Sequence, residues 1–110
     1  MSTDRIRELN DRCRQAWGVY PNTRVVITCG ISALSGTVVS AICEKVQTFD
    51  QFKAGDDPYG EHDFGAFDHA GHRVFWKIDY YDLNCEYGSD DPSDPTRTCR
   101  VLTIMLADEY

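Results

Sequence analysis

Long apolar runs are missing from these 110 residues. None approaches the roughly 18 residues a helix needs to cross a bilayer, and the opening Met1-Ser2-Thr3-Asp4-Arg5 is charged rather than signal-like. A cytoplasmic protein with no membrane contact is expected. Paired cysteines are missing as well. The five present, Cys13, Cys29, Cys43, Cys85 and Cys99, are odd in number and include no Cys-x-x-Cys. Neither a disulfide framework nor a zinc knuckle fits, and most of these thiols read as small buried hydrophobes. Cys85 and Cys99 bracket a polar stretch that oxidation could close, but a reducing cytosol favours free thiols.

Several catalytic signatures are missing too. No Ser-His-Asp order, phosphate-cradling glycine loop or cysteine beside a base stands out. Gly30-Ile31-Ser32-Ala33-Leu34-Ser35-Gly36 follows a strand and precedes a helix, a place where phosphate can sit. Without a lysine or the glycine spacing of a nucleotide site, an ordinary connecting loop is expected. Internal repeats and low-complexity tracts are absent, and no cofactor is implied.

Positive charge is scarce and unevenly placed. Eleven Lys and Arg face 18 Asp and Glu, for a net charge of −7. Residues 1–48 carry six basic side chains against four acidic, or +2, whereas residues 49–110 carry five against fourteen, or −9. The second half should repel nucleic acid and attract basic surfaces, which argues against direct DNA binding. With 42% hydrophobic and 12% aromatic residues the chain has enough apolar surface to fold alone. A second core would need roughly 50 residues or more of its own, so one domain over 1–110 is expected. Oligomeric state leaves no trace in the sequence.

From Thr3 to Trp17 the apolar residues Ile6, Leu9, Cys13 and Trp17 recur at helical steps, with the arginines assigned to the opposite face. Gly18 and Pro21 end that helix. Val25-Val26-Ile27 is a short β-branched run that suits a buried strand. A second helical period begins near Gly36 and carries Val38 or Val39, Ile42, Val46 and Phe49, with Phe52 closing its core. Residues 53–60 are turn chemistry. His62–Phe67 and Arg73–Tyr81 flank Asp68-His69-Ala70-Gly71-His72 and predict a hairpin. Centring the turn on Ala70-Gly71 sets Phe67 opposite Val74, Gly65 opposite Trp76 and His62 opposite Asp79. Val74, Trp76, Ile78 and Tyr80 then face the helices. Asn84–Thr96 reads as a solvated excursion, and Val101–Leu106, apolar on both faces, suits a central strand. The expected fold is α+β: two helices on one face of a mainly antiparallel four-stranded sheet, in the order α-β-α-β-β-β.

Three strings carry a family resemblance: Asp57-Pro58-Tyr59-Gly60-Glu61-His62-Asp63-Phe64-Gly65, Trp76-Lys77-Ile78-Asp79-Tyr80-Tyr81-Asp82, and Arg100 through Tyr110. They resemble the bacterial domain-of-unknown-function family 3768, as does the opening Arg5–Asp11. The family brings no established activity. Its members look like accessory proteins of alphaproteobacteria and of their plasmids and phages. Asp56 stands where the family tends to have Asn, which adds negative charge here.

Two candidate sites follow. Asp57, Glu61, His62 and Asp79, with Asp63 and Asp82 nearby, offer carboxylates and an imidazole, the donor set for a divalent ion or acid–base work. A metal-dependent hydrolase or nuclease is the function they would support. The register places Glu61 and Asp63 on one face and His62 and Asp79 on the other, so only a subset can converge. The structural alternative makes His62 and Asp79 a cross-strand pair and Asp57 a turn cap. His69 and His72 sit at a turn tip with no third ligand and read as exposed.

The second candidate is a docking surface of Asp56, Asp57, Asp82, Glu86, Asp90, Asp91 and Asp94, with Phe75 and Tyr81 as aromatic anchors. Its function would be a non-enzymatic protein-binding module that meets a basic surface in a nucleic-acid-binding complex. The mobile-element flavour of the resemblance makes a phage or plasmid inhibitor, such as an anti-CRISPR protein, the concrete form.

Overall fold

The computed structural model describes residues 2–110. Ser2–Gln15 forms helix α1, Cys29–Ser32 a single-turn α2 and Gly36–Gln47 helix α3. The strands are β1 (Thr23–Ile27), β2 (Phe64–His69), β3 (His72–Tyr81) and β4 (Cys99–Leu106), and a 3-10 turn spans Ala107–Glu109. The order therefore matches the expected α-β-α-β-β-β, with α2 added inside the strand-to-helix connection.

The hairpin forms as its turn residues dictate. Ala70 and Gly71 adopt φ of 51° and 81°, the left-handed pair of a two-residue turn whose twist suits the flanking strands. The register places Phe67 opposite Val74 and Gly65 opposite Trp76. Gly65 is required by that neighbour, because a Cβ there would lie 2.6 Å from Cε2 of Trp76. His62 lies outside the pairing: β2 begins at Phe64, and His62 takes a φ of 55°. The expected His62–Asp79 pair does not form.

β4 pairs antiparallel with β3 on one side and parallel with β1 on the other, giving the sheet order β1-β4-β3-β2. Its central place explains why Val101–Leu106 is apolar on both faces. Val74, Trp76 and Ile78 of β3 join Leu102 and Ile104 of β4 in one core with Cys13 of α1, Ile31 of α2, and Ile42 and Val46 of α3. The helices thus cover one face. On the other, Phe64 and Phe75 stack edge-on at 5.2 Å, and Tyr110 packs against Phe75 at 5.7 Å.

Arg14 departs from the solvent-facing position assigned to it. It is buried, and its Nη1 donates to the carbonyls of Val46 and Gln47 at 3.0 and 3.2 Å. Those carbonyls lie at the C-terminus of α3, where backbone acceptors lack helical partners and the helix dipole favours a cation. The guanidinium also stacks on Phe52 and Trp76 at 5.4 Å to each ring centre. One arginine therefore docks α1 onto the end of α3.

The Gly30 amide, at the start of the connection to Gly36, is already taken. Glu109 reaches back from the C-terminal turn, accepting from the Gly30 amide at 2.9 Å and the Thr28 hydroxyl at 2.7 Å. Those hydrogen bonds hold its carboxyl below the ordinary glutamate range. The chain supplies its own anion at that position. No helix among the described residues is long and apolar enough to cross a membrane.

Candidate functional site

The residues singled out as metal ligands are drawn into structural bonds and pulled apart. His62 lies flat on Phe52, with ring centres 3.6 Å apart, and its Nδ1 meets Asp11 of α1 at 2.9 Å. Asp57 is buried; its Oδ1 accepts from the His62 amide at 3.1 Å, and its Oδ2 lies 3.9 Å from Nε2 of the same residue. These bonds pin the 53–63 segment against α1 and sustain the left-handed backbone at His62. Glu61 turns toward the helical side and accepts from the Tyr80 hydroxyl at 2.8 Å. Asp79 lies on the open face and pairs with Lys77 at 2.8 Å. Asp57 and His62 meet, whereas Glu61 and Asp79 do not join them. Among the described residues no three His, Cys, Asp or Glu side chains are arranged to hold a metal ion.

Glu61 instead ends a polar chain through the interior that the sequence reading missed. Tyr80 OH receives the Asn10 amide at 2.8 Å, and the same Nδ2 donates to the Glu61 carbonyl at 3.0 Å. On its other side Asn10 accepts from Nε of Arg100 at 2.8 Å, while Arg100 Nη2 donates to the carbonyl of Pro92. Burial pushes the Tyr80 hydroxyl far up, helped by the Glu61 carboxylate. The chain thereby ties α1, the 53–63 segment, β3, β4 and the acidic excursion together. Its signal was Asn10 set among Ile6, Leu9 and Cys13, a polar side chain on an apolar stripe.

The acidic excursion is anchored rather than loose. Asp82 Oδ1 accepts from the amides of Asn84 and Glu86, Asp91 Oδ1 from the amide and hydroxyl of Ser93, and Asp94 Oδ1 from those of Thr96. The bonds from Thr96 hold Asp94 below the usual carboxylate range. Such side-chain turns fix the local backbone. Tyr81 pairs with Gly88, and Asn22 donates to the Pro95 carbonyl at 3.2 Å. Glu86 and Asp90 are exposed, Asp90 standing 3.9 Å from Arg97. Cys99, buried beside Cys85, has its thiol pushed up by burial and by that neighbour, and both cysteines are free.

A second acidic feature emerges at the other end of the open face. Asp56, Tyr59, Asp63, Phe64 and Tyr110 line a shallow groove of about 300 Å³. Tyr59 and Tyr110 are 77% and 73% exposed. Asp63 has its carboxyl pushed up by burial first and then by Glu61, Asp57 and Asp79. Neither Asp56 nor Asp63 has a cation within 4.0 Å among the described residues. Of the expected docking set, Asp56 and Phe75 adjoin this groove, Asp57 is turned inward, and Asp82, Asp91 and Asp94 hold turns. The groove escaped sequence reading because it joins residues 56–64 to Tyr110.

Searches of curated proteins and of solved structures returned no match. The family model described as "Protein of unknown function (DUF3768)" matches residues 27–109. The match takes in all three strings that carry the resemblance up to Glu109, while Arg5–Asp11 lies outside it. Since it covers well over half of the 110 residues, the chain belongs to the family DUF3768.

Proposed function

We propose that this protein is a non-enzymatic binding module that docks its acidic side onto a basic surface of a nucleic-acid-binding protein, with the groove at Asp56 and Asp63 as the point of entry. One observation carries this reading: a half-buried carboxylate without a cation, set beside two largely exposed tyrosines. An arriving Arg or Lys would relieve the repulsion that Asp63 shares with Glu61, Asp57 and Asp79 while its stem packs on the rings. Aromatic anchors with a charged neighbour are the usual source of interface affinity. The net charge of −9 over residues 49–110 would speed the encounter. In its concrete form the module inhibits a host nucleic-acid machine, of the kind an anti-CRISPR protein blocks, by occupying a groove that otherwise receives phosphates.

The test is purification from host cells with three baits of the full chain. Wild type is expected to retain a basic nucleic-acid-binding protein in stoichiometric amount. Asp56→Lys with Asp63→Lys should lose it, and Glu86→Lys with Asp90→Lys, an equal change of net charge elsewhere, should keep it. Loss in both double variants, or no basic partner with wild type, refutes the proposal. Asp91 and Asp94 are poor choices for reversal because their removal would disturb the loop itself.

A further inference from the structure

Arg100 is a buried cation with no carboxylate in direct contact, Glu61 acting on it only from a distance. It is 2% exposed, and no carboxylate among the described residues lies within 4.0 Å of it. Asn10 and Pro92 take up Nε and Nη2, and the guanidinium lies 5.4 Å from the centre of the Tyr80 ring. Nη1 has no hydrogen-bond partner among the described residues, and Arg100 lines an open cavity. Burial pulls the Arg100 pKa below the ordinary arginine value. A charge kept in this position is costly unless an anion reaches it.

The space beside Arg100 is a cavity of about 150 Å³ between α1, the segment leading into β1 and the acidic excursion. Leu9, Tyr20, Pro21 and Pro95 supply apolar walls, and Arg12 lines it as well. Arg12 stacks over the Tyr20 ring at 5.6 Å and is held by Glu8. A cavity of that volume accommodates a benzene-sized group. Apolar walls with a few convergent polar groups, here Arg100 and Arg12 with Asn22, Thr23 and Thr98, are the usual make-up of a small-molecule site.

We propose that this cavity binds a small organic carboxylate, its apolar body between Tyr20, Pro21 and Pro95 and its carboxylate on the free Nη1 of Arg100. A single free guanidinium nitrogen matches a monoanion, and the apolar walls favour a carboxylate on a ring or branched chain over a bare inorganic anion. The site lies apart from the Asp56–Asp63 groove and stands or falls independently of it.

The test uses the full chain in an NMR amide titration with benzoate, benzyl alcohol and inorganic phosphate in turn. Benzoate is expected to shift the amides of Leu9, Tyr20, Thr23 and Arg100 in a saturable way at millimolar concentration. The neutral alcohol and phosphate should shift them little. Tyr20→Ala, a change at an exposed rim, should weaken benzoate binding about tenfold, the worth of one good aromatic contact. Arg100→Gln should abolish it where that variant folds; Tyr20→Ala keeps the test decisive where it does not. Absence of saturable benzoate shifts, equal binding of the alcohol, equal binding of phosphate, or unchanged affinity in Tyr20→Ala would each overturn the proposal.

Discussion

Asn10→Ala is expected to destabilise the fold far beyond what a polar residue on a 14-residue helix would ordinarily cost. Alanine is the better helix former, so helix propensity alone predicts a small gain. The interior chain reverses the sign. Removing the amide takes away the acceptor from Nε of Arg100, a charge-assisted bond worth about 1.5–3 kcal/mol when its partner stays buried. It also strips one donor each from Tyr80 and the Glu61 carbonyl, at about 0.5–1 kcal/mol apiece. The sum is about 2.5–5 kcal/mol, or a fall of roughly 10–30 °C in Tm for a domain of this size. Urea unfolding should show a lower midpoint at unchanged slope. Because Asn10 and Tyr80 share a bond, Tyr80→Phe should cost about 1 kcal/mol less in the Asn10→Ala background than in wild type. A loss below about 1 kcal/mol for Asn10→Ala, or strictly additive effects, would refute the argument that Arg100 depends on this amide.

Two further outcomes follow from the same geometry. Gly65→Ala should destabilise by about 1–3 kcal/mol despite the entropy removed from the unfolded chain, because Trp76 is fully buried and has nowhere to retreat; thermal unfolding measures it, and an unchanged Tm would contradict the packing. Asp63 has its pKa raised in the fold, so its protonation favours folding. That contribution is fully present below the ordinary aspartate value of 3.8 and lost as pH rises through the raised value. Asp63→Asn should therefore raise Tm at neutral pH, with the gain shrinking toward pH 3.8, and an equal gain at all pH values would contradict it.

The sheet was the most legible part of the molecule. Ala70-Gly71 dictates a two-residue turn, the turn sets the register, and Gly65 opposite Trp76 follows from both. The two-sided apolar run at Val101–Leu106 marked the central strand because only a strand with neighbours on both sides buries both faces. The parallel partner of that strand was not legible, since Val25-Val26-Ile27 carries no mark of direction. Nor were the buried polar groups: Arg14 sits outside the stripe of Ile6, Leu9 and Cys13, and its burial depends on the end of α3 arriving beside it. His62 was misplaced for a related reason. Extending the period-two pattern past Phe64 assumes extended backbone, whereas Asp57 and Asp11 hold His62 in a left-handed conformation. Family membership was readable from the strings at residues 57–65 and 76–82; the Asp56–Asp63 groove and the Arg100 cavity were not, because each is assembled from segments distant in the chain.

The pairing of β1 with β4 also bears on how the chain reaches this state as it leaves the ribosome. Thr23 lies opposite Arg100 and Ile27 opposite Ile104, so the strand completing one edge of the sheet is synthesised long before the strand it needs. During that interval the β-branched run at Val25-Val26-Ile27 has no ladder to join, and α1 lacks Arg100 for Asn10. Contacts of such long sequence separation are slow to close and leave unpaired strand exposed meanwhile. The first half of this protein must therefore wait for β4 before that edge of the sheet can close, and residues 23–27 are the segment left unpaired until it does.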